Sequence, residues 1–150
     1  MIQIRGQLGR LPAVPEPDAL LPSINRQFAE DAKARIQEKA SGGPGSRYLI
    51  SRTGGTRASV FGFSTPTGAE VGASGPGVQV QEEGATIRAK NGRFLTFRLH
   101  EPNDTDTATG RWIRVRQVTI RAKYFVRDSV NETLLHLPEY LDAALREARW

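Results

Sequence analysis

No cysteine occurs in these 150 residues, so disulfides, thiolate metal sites and cysteine nucleophiles are excluded together. Histidine is almost as scarce. His100 and His136 are the only two, too few for a histidine-based metal cluster. Aromatic residues make up 7% of the chain, which predicts a core of small and aliphatic side chains. No apolar run approaches the ~20 residues that a membrane-spanning helix needs. The first fifteen residues lack the continuous apolar stretch of a signal peptide, so no leader is expected. The glycine-rich stretches at Gly42–Gly45, Gly54–Gly55 and Gly72–Gly77 lack the spacing and flanking elements of a phosphate loop, so no nucleotide cofactor is expected.

What the chain does have is an ordinary globular balance of 38% hydrophobic and 25% charged residues, and a length suited to one domain over residues 1–150. The net charge is +5, and its distribution is uneven. Between Ile87 and Arg127 stand ten basic residues against three acids, Glu101, Asp104 and Asp106. Such a localised field attracts nucleic acid or an acidic protein face. The plainer reading is a solvated sheet face kept soluble by its arginines.

Periodicity predicts an α+β fold: a mostly antiparallel sheet, a long N-terminal helix packed on it and a C-terminal helical cap. Ile2–Leu8 alternates like a short edge strand, and Pro12, Pro15 and Pro17 then hold an extended arm over residues 1–17. A helix begins at Asp18 or Ser23, with Leu20, Leu21, Ile24, Phe28, Ala32 and Ile36 as its apolar stripe. It stops at Ser41-Gly42. Short strands are expected at Tyr48–Ser51 and Ser59–Ser64. Residues 65–77 hold few large apolar side chains and read as a loop that orders against a partner. Val78–Gln81 reads as a strand.

The centre of the chain, residues 81–126, carries the clearest signals. Asn91-Gly92 between apolar runs predicts a two-residue hairpin turn. Leu95, Phe97 and Leu99 share one strand face, and Thr96 and Arg98 the other. On Trp112–Ile120, Trp112, Arg114 and Arg116 oppose Ile113 and Val115. The apolar parity then switches to Val118 and Ile120, which predicts a bulge or a change of packing partner. The segment from Glu101 to Gly110 is a polar excursion. Residues 128–150 read as helical, with Asp128 or Ser129 as a cap, Pro138 in a first turn, and Leu134, Leu137, Leu141, Ala144 and Leu145 as the apolar face.

No catalytic set emerges. Glu82 and Glu83 are neighbours in a predicted strand and would point to opposite faces. Neither histidine sits in a context that supports a triad. The expectation is a protein that is not an enzyme and needs no cofactor or metal.

EEGATIRAKNGRFLTFRL (82–99), GRWIRVRQVTIRAKYFVRDS (110–129) and LPEYLDAALREA (137–148) together resemble the tail-completion, or head–tail joining, proteins of tailed bacteriophages. The resemblance runs from about Ser23 to Ala148 and is specific in the first two segments. One departure is plain: the family's Pro-Ala-Arg-Pro-Phe is here Arg121-Ala122-Lys123-Tyr124-Phe125, without either proline. The resemblance implies a structural virion protein assembled in the host cytoplasm. It implies a homohexameric ring in the neck, between connector and tail tube, with a bore for DNA and no membrane contact. A tail terminator, a minor tail component and a basic nucleic-acid-binding module are the alternatives. Candidate contacts to passing DNA or to neighbouring subunits are Arg88, Lys90, Arg98, Arg114, Arg116, Arg121 and Lys123.

Overall fold

The computed structural model describes residues 16–42, 47–49, 54–99 and 110–148. The expected strand at Ile2–Leu8, most of the N-terminal arm, His100 and the polar excursion after it lie outside the described residues. The chain is α+β. Helix α1 (Pro17–Ala40) is followed by the short α2 (Gly55–Ala58), a hairpin of β1 (Val60–Thr65) and β2 (Gly68–Ala73), and α3 (Val78–Glu83). Then come β3 (Ala85–Arg88), β4 (Leu95–Leu99), β5 (Arg111–Val115), β6 (Gln117–Ile120), α4 (Phe125–Leu134) and α5 (Leu137–Glu147). The strands form three two-stranded antiparallel sheets among the described residues: β1–β2, β3–β6 and β4–β5.

Helix α1 is the axis on which the body is built. Leu20, Ala29, Ala32, Ile36 and Ala40 are buried along it at helical spacing. The β1–β2 hairpin packs on one side of it and α4–α5 on another. Small residues allow the close approach: a Cβ at Gly62 would lie 2.8 Å from the carbonyl oxygen of Ala29. Pro22 lies inside the helix rather than in its first turn, where it removes one early main-chain bond. The helix ends at Ser41, as the Ser-Gly signal predicts.

The core gathers Ile36 and Ala40 of α1, Leu49, Val60 of β1, Val78 of α3 and Phe125 of α4. Tyr48, Val71, Ala73 and Val126 pack around it. Ser129 and Thr133 are fully buried on α4, and each turns its hydroxyl back onto the carbonyl four residues earlier, at 2.7 and 2.9 Å. Two polar groups thereby enter the interior with their hydrogen bonds made.

Several expectations are corrected. Residues 68–73 are not a loop: they form β2, paired with β1 from Val60↔Ala73 to Thr65↔Gly68. Their small side chains bury little, but the ladder satisfies the backbone. Val78–Gln81 is helical, within α3. Tyr48 and Leu49 lie in a bend and coil rather than a strand. The C-terminal helical part begins at Phe125 with Tyr124 at its N-cap position, rather than at a cap of Asp128 or Ser129. Pro138 does sit in the first turn of α5.

Polar contacts fix how α4 and α5 lie against α1. From one end to the other, Ser23 and Arg26 bond Glu147, Asp31 accepts a hydrogen bond from Tyr140, Lys39 pairs with Glu132 at 2.6 Å, and Asp128 meets Arg47 and Tyr48. The numbering falls as α1 rises, so α4–α5 runs back along it. This rotation buries Tyr140 and Ala144. It leaves Leu134, Leu137 and Leu141 exposed, contrary to their predicted core role. Burial pushes the Asp128 carboxyl up, but hydrogen bonds from Arg127, Arg47 and Tyr48 outweigh it and hold the group below the ordinary carboxylate range.

Burial, and then the bond to Asp31, push the Tyr140 phenol well above its ordinary range. Tyr140→Phe is expected to cost about 1.5–3 kcal/mol at neutral pH, the usual worth of a hydrogen bond to a charged group. The sign of the pH dependence follows from the raised folded value. The contribution is whole below the unfolded phenol pKa near 10 and is lost as pH climbs above it toward the folded value. Urea melts at pH 7 and pH 11 should show the wild-type advantage over Tyr140→Phe shrinking at the higher pH.

Candidate functional site: an amphipathic basic ribbon

Residues 85–99 pair with residues 111–120 as one interrupted antiparallel ribbon. Near the root, Ala85↔Ile120, Thr86↔Thr119, Ile87↔Val118 and Arg88↔Gln117 face each other. Farther out, Leu95↔Val115, Thr96↔Arg114, Phe97↔Ile113, Arg98↔Trp112 and Leu99↔Arg111 do so. Between the two halves, residues 89–94 loop out opposite Arg116, where Ala89 N–H reaches the Arg116 carbonyl at 3.5 Å. Asn91-Gly92 therefore makes no hairpin, and neither residue takes the positive φ of a type I′ turn. A turn there would have set Arg88 opposite Leu95 and Thr86 opposite Phe97. The observed register instead matches apolar to apolar or polar to polar in every pair from Ala85↔Ile120 to Phe97↔Ile113, leaving only Arg98↔Trp112 and Leu99↔Arg111 mixed, which favours the longer-range pairing.

The parity switch after Val115 is a change of partner. β5 pairs with β4, the chain breaks at Arg116, and β6 pairs with β3. The break returns the apolar residues to one side: Ile87, Leu95, Phe97, Val118 and Ile120, with Thr96 between two of them, line a single open groove of about 360 Å³. Alternation puts Thr86, Arg88, Gln117 and Thr119 on the reverse of one half, and Arg98, Trp112 and Arg114 on the reverse of the other. The Thr86 and Thr119 hydroxyls meet there at 3.3 Å. The Arg98 guanidinium lies 5.0 Å from the Trp112 ring centre, and that of Arg114 4.8 Å from Phe94. Trp112 is 61% exposed. An exposed indole held beside guanidinium groups can stack on a nucleobase or on a neighbour's side chain.

The predicted contact residues divide accordingly. Arg88, Arg98 and Arg114 belong to the polar face. Lys90, in the looped-out segment, Arg116, at the break, and Arg121, just past β6, are exposed. Lys123 is at the root, where its ammonium donates to the Arg47 carbonyl at 3.2 Å, so it serves the anchor rather than the ribbon face. Trp112 and Phe94, each exposed beside a guanidinium, were missed as candidate stacking surfaces. The signal was present, since Trp112 shares its strand parity with Arg114.

Glu82 was also misread, because it lies on a helix rather than a strand. Its two carboxylate oxygens accept from the Val126 and Arg127 amides, each at 2.9 Å, at the N-terminus of α4. Two main-chain bonds, Lys123 N to Gln81 O at 2.8 Å and Tyr124 N to Glu82 O at 3.1 Å, complete the joint. Tyr124 sits there at φ 51°, where the resembled pattern has a proline. A proline ring cannot take that angle, so this chain's departure and its local backbone agree.

Charge follows the same division. The described ribbon residues, 85–99 and 110–123, hold nine basic side chains and no acid, while the other described residues hold eight basic and thirteen acidic. Among the described residues no group of three or more His, Asp or Glu side chains could hold a metal ion. The concavity between β2, α3 and α4, about 450 Å³, includes Glu82 and Glu83, but Glu82 is committed to the α4 amides. No helix among the described residues is long and apolar enough to cross a membrane. Comparison with protein-family models, with curated proteins and with solved structures finds no match for this chain.

Proposed function

We propose that this chain is a structural subunit of the neck of a tailed bacteriophage, one member of a homohexameric ring that completes the tail and joins it to the head connector around a bore for DNA. The reading starts from the resemblance of residues 82–99, 110–129 and 137–148 to tail-completion proteins. One observation of the fold carries it further: a two-stranded ribbon with an arginine face and an apolar face, fixed to the helical body at its root. A subunit lining a DNA passage needs dispersed positive charge without base-reading geometry, because tight binding would stop the DNA from sliding. The arginine face suits that need, and the apolar face suits contact with a neighbour.

Purified protein added to tails that lack it should appear in negative-stain images as an annulus at the head-proximal end, and those tails should gain the ability to join heads. Tails that join heads equally well without it would remove the proposal. An annulus elsewhere on the tail would select a terminator or minor tail component. A second reading, a nucleic-acid-binding module, is favoured by exposed Trp112 beside Arg98. The double variant Arg98→Glu/Arg114→Glu separates the two. Under the module reading it abolishes salt-sensitive duplex or single-strand binding by the free protein. Under the neck reading free protein binds DNA weakly at physiological salt, and the variant acts on assembly or DNA passage.

A further inference from the structure

Two apolar surfaces of this chain are left open. The first is the ribbon strip of Ile87, Leu95, Phe97, Val118 and Ile120, on which no described element packs extensively. A two-stranded ribbon has little stability of its own in water, so a strip of this kind calls for a cover. The second is the leucine stripe of the C-terminal helices, where Leu134, Leu135, Leu137 and Leu141 are 45%, 79%, 39% and 43% exposed. Their charges are opposed. The described ribbon has no acid among nine basic residues, while α5 is net acidic, with Glu139, Asp142 and Glu147 against Arg146; Glu147 pairs with Arg26 of α1 and Asp142 with Arg146, so the α5 acid outside such arginine pairs is Glu139.

We propose that the apolar face of the ribbon docks on the leucine stripe of α4 and α5 of a second copy of this chain, joined head to tail. The contact deepens the ring reading above and rests on it for closure into an annulus. Two ribbons joined by their apolar faces would bring together two segments that each carry nine basic residues and no acid, and like charges brought close are costly even where they flank the contact. Ribbon against leucine stripe sets apolar against apolar and places the basic ribbon beside a helix of net acidic charge instead of beside a second basic ribbon. Because the two surfaces differ, each copy offers one of each, and contacts run on until they close. The arginine face of the same ribbon stays outside the contact and is free for DNA.

The test uses full-length protein carrying Phe97→Glu, which spoils the ribbon strip, or Leu141→Glu, which spoils the stripe. Both positions are at least partly open to solvent, and thermal melts by circular dichroism check that each variant is folded. By light scattering after gel filtration, the wild type should form multimers, and each variant alone should be a monomer at the same concentration. An equimolar mixture should double in mass and grow no further, because one copy supplies the intact ribbon and the other the intact stripe. A wild type that stays monomeric at its highest soluble concentration overturns the proposal, since the strip is then covered within the chain. So does a mixture that stays monomeric, or Leu141→Glu protein that still dimerises while Phe97→Glu does not, which would mean ribbon-to-ribbon pairing. The neck reading fails separately: a mixture that pairs as expected, with wild-type protein that never binds tails, keeps the contact and discards the neck. Wild-type rings that both variants leave intact do the reverse.

Discussion

Phe125→Ala is expected to remove about 3–5 kcal/mol of folding stability, the range for deleting a buried aromatic ring where neighbours collapse only partly. Phe125 has no exposed surface and is the largest fully buried side chain among the described residues. It is the first residue of α4, and its cluster draws on α1, β1 and α3 through Ile36, Ala40, Val60 and Val78. The ring therefore ties the helical body to the joint from which the ribbon leaves. Whole-domain stabilities are about 5–15 kcal/mol, so the loss is a large share of the total. For a chain of this size it corresponds to a fall in Tm on the order of 10 °C. Phe125→Leu keeps most of the volume and should cost about 1 kcal/mol. Urea melts of both variants make the check. If alanine proved no worse than leucine, the ring would not hold that junction together.

Elements whose signals are local were legible in the sequence. The apolar stripe of α1, its stop at Ser41, the strand at Val60 and the turn of helix at Pro138 are each set by a few neighbouring residues. The parity switch after Val115 was legible too, because a strand that changes its inward side must change its partner or bulge. Elements decided by distant contacts were not. Val78 to Gln81 alternates apolar and polar like a strand. It is helical because the joint with α4 needs Glu82 at the end of a helix, aimed at the Val126 and Arg127 amides. Residues 68–73 looked too poor in large side chains to be ordered, yet a ladder with β1 under α1 requires small ones. Asn91-Gly92 was the strongest local turn signal, and it lost to a register that pairs Ile87 with Val118 and Phe97 with Ile113. Of the candidate contacts, the grouping of Arg88, Arg98 and Arg114 on one face depends on the break at Arg116, which sequence spacing could suggest but not place.

That contest between two pairings leads to an expected result at Gly84. The residue holds φ 77° and ψ 161°, a region that side chains other than glycine's essentially do not enter. A Cβ there would lie 2.8 Å from both the Ile120 carbonyl oxygen, at the end of the returning strand β6, and the Ala122 amide nitrogen, two residues beyond it. Gly84→Ala therefore combines backbone strain with a clash against main chain that cannot rotate away, together about 2–5 kcal/mol. Since the ribbon touches the body mainly at its root, the damage should stay there. Amide exchange should quicken at residues 85–88 and 117–120, while the amides of α1 and β1 keep most of their protection. Gly92→Ala is the paired control. A type I′ turn at Asn91-Gly92 would make that substitution costly, but Gly92 has no positive φ, and the nearest atom to its added Cβ is 3.7 Å away. It should change stability by less than about 0.5 kcal/mol, as for an ordinary surface position. The opposite ranking, with Gly92→Ala damaging and Gly84→Ala mild, would mean that β3 pairs with β4 and that the two-faced ribbon does not form.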